Sequence, residues 1–162
     1  MVEREYNREA AVAYAQKWAL SRNPAYADFE EMGGDCSNFI SQCLYAGAGI
    51  MNYAPTYGWF YRSLNDRAPA WTSVRYLHRF LTTNKGVGPH GHEVSPEEML
   101  LGDIIQMQID QDDFQHTAMV TEKKNGFLYV SAHTYDALNR RLSSYAYKKI
   151  RFIHIDGVRK WN

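Results

Sequence analysis

Among the groups able to attack a carbonyl or carry a proton in this 162-residue chain are two cysteines, six histidines and a scatter of carboxylates. Cys36 has the most informative setting. It follows Gly33-Gly34-Asp35 and opens the run Cys36-Ser37-Asn38-Phe39-Ile40-Ser41-Gln42-Cys43-Leu44. In this run Cys36, Phe39, Ile40, Cys43, Leu44 and Gly47 share a helical stripe, and Ser37, Asn38, Ser41 and Gln42 lie on the polar side. A sulfur in the first turn of such a helix meets unpaired backbone N–H groups and the positive end of the helix dipole. Both favour thiolate over thiol, and Asp35 is placed to cap the same turn. That is the setting of a cysteine nucleophile; an ordinary core cysteine is the alternative. A bridge to Cys43 is excluded, because seven residues of helix separate the two Cα atoms by roughly 10 Å and a disulfide needs under about 7 Å. Cys43, mid-helix on the apolar side, reads as core.

A thiol nucleophile needs an imidazole within hydrogen-bond reach, and that imidazole needs a third group to fix its tautomer. His116 is the candidate base, since it opens an expected strand just after the polar turn Asp110-Gln111-Asp112-Asp113. His133 is the candidate third group. A type I′ turn at Asn125-Gly126 sets Ala118 opposite His133, leaving His116 on the same side one diagonal step away, about 7–8 Å. A three-residue turn with a glycine bulge would instead send His133 to the other side. Asp136 is the alternative orienting group. His78 and His154 fall on apolar stripes and read as packing, and His90-Gly91-His92 has no sequence neighbour that completes a metal site. A metal set of His116, His133 and Asp103 would leave the start of the Cys36 helix unexplained, so no metal or other cofactor is expected.

These groups must be held by a scaffold. From Asn7, a plausible N-cap, Ala11, Tyr14, Ala15, Trp18 and Ala19 form one stripe of a first helix that Asn23-Pro24 ends. The Cys36 helix runs to about Ala46 and stops in Gly47-Ala48-Gly49. Residues 50 to 70 carry Tyr53, Tyr57, Trp59, Phe60 and Tyr61 without a sustained period. They read as a long aromatic loop, with Trp59 a candidate wall of a substrate groove. Thr72 to Leu81 predicts a helix capped by Thr72, residues 86 to 92 a turn-rich loop, and Ser95-Pro96-Glu97-Glu98 a single helical turn. Strands follow at Ile104 to Ile109, Gln115 to Thr121, Phe127 to His133 and Lys149 to Ile155. Helices first and an antiparallel meander after them is an α+β order, with a sheet of about four to six strands in one domain spanning 1–162.

The residues resemble the putative amidase domain family, which is similar to the NlpC-type and CHAP-type papain-like cell-wall hydrolases. The likeness rests on Gly-Gly-Asp-Cys36-Ser-Asn-Phe-Ile-Ser-Gln-Cys-Leu, Tyr6-Asn-Arg-x-Ala-Ala-Val-x-Tyr-Ala, Asn23-Pro24-x-Tyr26, Gly102-Asp103-Ile104-Ile105-Gln106 and His116-Thr-Ala-Met-Val-Thr. It implies a circularly permuted papain-like fold, Cys36 as nucleophile, His116 as base and acid, and His133 as third member. It also implies an oxyanion and substrate-binding contribution from the Cys36 turn, where Asp35 and Ser37 flank the sulfur, with Tyr26 upstream. The implied substrate is peptidoglycan or a related peptide, and the implied location the cell wall. Asn38 stands where the commoner NlpC pattern has glycine. Eighteen basic and eighteen acidic residues give no net charge, so nucleic acid is not an expected partner. No apolar run reaches the roughly 18 residues of a membrane span, and Met1-Val2-Glu3-Arg4-Glu5 lacks a signal-peptide pattern.

Overall fold

The computed structural model describes residues 1–162. Its helices are α1 (Arg8–Trp18), α2 (Cys36–Ala48), α3 (Pro69–Thr72) and α4 (Val74–Thr83). Its strands are β1 (Val2–Arg4), β2 (Tyr61–Ser63), β3 (Asp66–Arg67), β4 (Gly88–Val94), β5 (Ile104–Gln108), β6 (His116–Lys124), β7 (Phe127–Ala132), β8 (Ala137–Arg141) and β9 (Lys149–Lys160). One antiparallel sheet runs β1-β9-β5-β6-β7-β8, with β4 also paired to the long β9; β2 and β3 form a separate hairpin. This is the expected α+β arrangement, with seven strands in the main sheet.

Side-chain alternation divides the sheet into two faces. Ile104, Met119 and Ile153 join Phe39, Ile40 and Leu44 of α2 and the aromatic group Trp59, Trp71 and Phe80 in the larger core. Ile105, Met107, Ala118, Val120 and Val130 point the other way, into a smaller cluster edged by Tyr145, Ile150 and Phe152. We refer to these as the helix face and the far face.

The helix ends follow their local chemistry. The Asn7 side chain accepts from Ala10 N–H, and Gly49 closes α2 with φ +68° in the left-handed region that glycine tolerates. α4 is capped by Ser73, which accepts from Tyr76 N–H, one residue beyond the expected Thr72. Two expectations give way to tertiary pairing. Residues 86 to 92 are not a turn-rich loop: β4 lies along β9, and a Cβ at Gly91 would come within 2.1 Å of the His154 carbonyl oxygen, so glycine there permits close backbone approach. The aromatic stretch from 50 to 70 is likewise structured, by the Asn52–Trp59 bridge, the β2–β3 hairpin and α3.

Candidate active site around Cys36

The turn that presents Cys36 is fixed by backbone geometry and by a distant loop. Gly33 and Gly34 have φ of +103° and +109°, conformations that L side chains rarely adopt. Asp35 N–H donates to Thr134 Oγ1 at 3.0 Å, which ties the turn to the loop between β7 and β8. Asp35 was expected to cap α2 through its side chain, and it does not. Its Oδ1 accepts instead from Phe29 N–H at 2.9 Å and from Asn38 Nδ2 at 2.8 Å. Its Oδ2 meets His133 Nδ1 at 2.5 Å. Burial alone would raise the Asp35 pKa, but bonds from His133, Phe29 and Asn38 together hold it below the ordinary carboxylate value. Asn38 also donates to the Ala27 carbonyl and accepts from Trp71 Nε1 at 3.0 Å. The Asn38 side chain thus joins three segments of the chain.

Cys36 is 7% exposed. Its Sγ lies 3.7 Å from the Gln115 carbonyl oxygen, to which the thiol donates. Ser37 Oγ and Thr117 Oγ1 are 3.1 Å apart, so the tip of α2 abuts the start of β6. Burial pushes the Cys36 thiol above its ordinary pKa, although donors from Thr117 and Ser37 oppose it. The expectation that a helix N-terminus leaves this sulfur anionic is therefore corrected: desolvation outweighs the nearby donors, and the resting group is a thiol.

His116 is 2% exposed and on the far face, since Thr117 points to Ser37 and neighbouring strand residues alternate. Its ring centroid is 6.1 Å from that of Tyr145, and its buried Nε2 has no hydrogen-bond partner. Burial, then the positive charge of Arg140, push its pKa down from 6.5 to about 4. No hydrogen bond joins the imidazole to Cys36.

His133 sits on the helix face and does not orient His116. The type I′ turn forms as expected, with φ +51° at Asn125 and +80° at Gly126. A bulge between Val120 and Glu122 then shifts the register by one, so Met119 faces Ser131 and the pairing continues toward Thr117, not Ala118, opposite His133. The shift comes from the strand, not from the turn that was expected to decide it. The His133 ring stacks on Phe39 at 3.9 Å, and Nε2 donates to the Trp18 carbonyl at 2.8 Å. Both ring nitrogens thus face oxygen partners. The result ties α1, the Cys36 turn and β7 together.

The remaining sites fall elsewhere. Asp136 forms a two-pronged pair with Arg22, at 2.8 and 3.1 Å. Tyr26 stacks on Trp71 at 6.1 Å, next to Tyr61. Trp59 is wholly buried rather than lining a groove, and its Nε1 donates to Ser41 Oγ. Asp103 is held by Arg8, His154 and two backbone N–H groups, apart from His116 and His133. His92 pairs with Asp156 at 2.9 Å, and His90 with Glu3. Sequence reasoning missed the Asp35–His133 pair; the signal was a buried-helix cap residue that was also acidic.

An α+β protein with a cysteine at the tip of a buried helix, set against the first residues of a sheet strand, is the class that this fold defines. The chain belongs to the putative amidase domain family, whose model matches residues 5–155. It is 36% identical over 140 residues to the uncharacterized protein YhbB of Bacillus subtilis (strain 168), covering 84% of this chain and 44% of that protein. It is 29% identical over 142 residues to the uncharacterized protein YjcM of the same organism, covering 83% of this chain and 32% of that protein. The chain thus spans less than half the length of either relative. No solved structure matches.

Proposed function

We propose that this domain is a cysteine amidase or peptidase, related to the NlpC-type and CHAP-type papain-like hydrolases, acting on peptidoglycan or a similar peptide. The Cys36 sulfur attacks the carbonyl carbon of an amide as its proton passes to His116 Nε2. That proton then goes to the departing amine as the C–N bond breaks, and water hydrolyses the resulting thioester. Backbone N–H groups of the first turn of α2, at Cys36 and Ser37, stabilise the tetrahedral oxyanion. His133 is a positioning residue in this scheme, holding Asp35 and through it the turn that carries the sulfur.

The observation that carries this reading is the approach of Cys36 Sγ to the carbonyl just before His116, whose buried nitrogen has no partner. The imidazole is neutral and so can accept a proton, and it becomes an effective base for the thiol once movement toward Cys36 relieves the burial that holds its pKa near 4. The step requires the thiol to leave the Gln115 carbonyl and the imidazole to swing around the open start of β6.

The same resting geometry favours one rival, a peptide- or wall-binding domain that never turns over, because the thiol is protonated and already hydrogen-bonded. Digestion of purified peptidoglycan with the parent, Cys36→Ala and His116→Ala proteins, with mass analysis of released fragments, separates the two. Cleavage at one bond type by the parent, absent from both variants, is the expected result. Identical traces from all three, with wall binding retained, would refute the amidase reading in favour of the binder.

A further inference from the structure

Next to the Cys36 turn the helix face carries a polar row that no hydrolytic step above uses. Thr117 pairs with Gln106, and Gln106 with Arg151, on three neighbouring strands. The side chains are linked as well as aligned. Ser37 Oγ meets Thr117 Oγ1, Gln106 Nε2 lies 3.3 Å from Thr117 Oγ1, and Gln106 Oε1 accepts from Arg151 Nε and Nη2 at 2.8 and 2.6 Å. Gln106 Nε2 also donates to the Val74 carbonyl, which fixes the first turn of α4 over the row.

The row ends at a cavity of about 400 Å³ lined by Arg75, Tyr76, His78, Arg79, Asp113 and Arg151. None of the three guanidinium groups makes a salt bridge. Arg79 rests on the Tyr57 ring and Arg151 on the Phe114 ring, at 3.8 and 3.9 Å. Cation–π stacking of this kind orients a guanidinium without neutralising it. The carboxylate on its wall is Asp113, and Glu93 pairs with the wall residue His78. Three arginines against two carboxylates leave the cavity positive in a protein whose net charge is zero. Phe114 connects it to the nucleophile, since the next residue supplies the carbonyl that Cys36 contacts.

We propose that this cavity is a substrate subsite that binds an anionic group, a carboxylate or a phosphate, carried by the amide that Cys36 attacks. Two strand spacings, roughly 10 Å, separate the Thr117 and Arg151 backbones, which sets the scale of the distance from the Cys36 turn to the cavity. That is the span of two to three residues of an extended peptide. The fork geometry of guanidinium suits both oxyanions. The subsite rests on the reading of Cys36 as nucleophile only for its role in turnover; anion binding itself does not need the thiol.

The test is a titration of the parent chain, a Cys36→Ser variant and an Arg75→Gln/Arg79→Gln double variant with citrate and with inorganic pyrophosphate, read by NMR at the His78 ring and the Arg151 side chain. Parent and Cys36→Ser are expected to show the same saturable shifts with at least one anion, and the double variant to bind about tenfold more weakly or worse. Preference for citrate identifies a carboxylate, and preference for pyrophosphate a phosphate. Absence of saturable shifts with both anions, or undiminished affinity in a folded double variant, overturns the proposal. Failure of the reading of Cys36 as nucleophile would appear separately, as peptidoglycan turnover that survives Cys36→Ala.

Discussion

A buried imidazole whose nitrogen lacks a partner ties stability to pH, and His116 sets the size of the effect. Its folded-state pKa falls from 6.5 to about 4 because burial disfavours the charged ring and Arg140 adds repulsion. Above pH 6.5 the ring is neutral in both folded and unfolded chains, and it contributes no pH dependence. As pH drops from 6.5 toward 4, the unfolded chain binds a proton that the folded chain refuses, so stability falls. Below about pH 4 both states are protonated and the loss levels off. Over that interval the group removes roughly 3 kcal/mol, from about 1.4 kcal/mol for each pH unit that separates the two values. The perturbation is His116→Asn, which keeps a polar side chain but does not titrate. Urea unfolding of parent and variant at several pH values between 4 and 7.5 gives the difference in stability at each. That difference should shift by ~3 kcal/mol against the parent on acidification, while contributions from other groups cancel. NMR titration of the His116 ring provides a direct check. Parallel stability curves, or a ring that titrates near 6.5, would show that the imidazole is hydrated, and the argument for a buried proton acceptor would fail.

Other outcomes follow from the same geometry. Asp35→Ala leaves Phe29 N–H, Asn38 and a buried His133 without their acceptor, and should cost about 3–5 kcal/mol by chemical denaturation. Asp35→Asn, which keeps shape and two of the bonds, should cost about 1 kcal/mol. Because the Asp35 carboxyl is held below its ordinary value, its contribution is present above about pH 4 and disappears as pH falls through the folded value. The advantage of the parent over Asp35→Asn should therefore narrow in strong acid. Iodoacetamide should alkylate Cys36 in the folded protein well before the fully buried Cys43, with a rate still rising through pH 9 because the thiol titrates above that point. A rate plateau near neutrality would instead reveal a preformed thiolate–imidazolium pair. Trp59→Phe should lose about 1 kcal/mol, from the bond to Ser41, and leave peptidoglycan binding unchanged; weakened binding would return this ring to the substrate groove.

Sequence by itself was enough to determine the local parts of this protein. Asn7 and Gly49 bound their helices, Asn125-Gly126 turns its hairpin, and the glycine pair before Cys36 sets the sulfur at a helix tip, because each depends on a few neighbouring residues and on backbone sterics. The helix-then-sheet order was legible for the same reason. Tertiary structure decided what depends on distant partners. The Gly- and Pro-rich residues of β4 become a strand only because β9 is there to pair with them. The bulge near Thr121, whose hydroxyl meets Ser131 and Asn139, sends His133 to Asp35 and leaves His116 on the opposite face. Burial, which no local pattern reports, keeps Cys36 a thiol despite its place at the end of a helix dipole. Period-two alternation makes the side chosen by every strand residue hostage to a single inserted one, and desolvation is a sum over the whole fold.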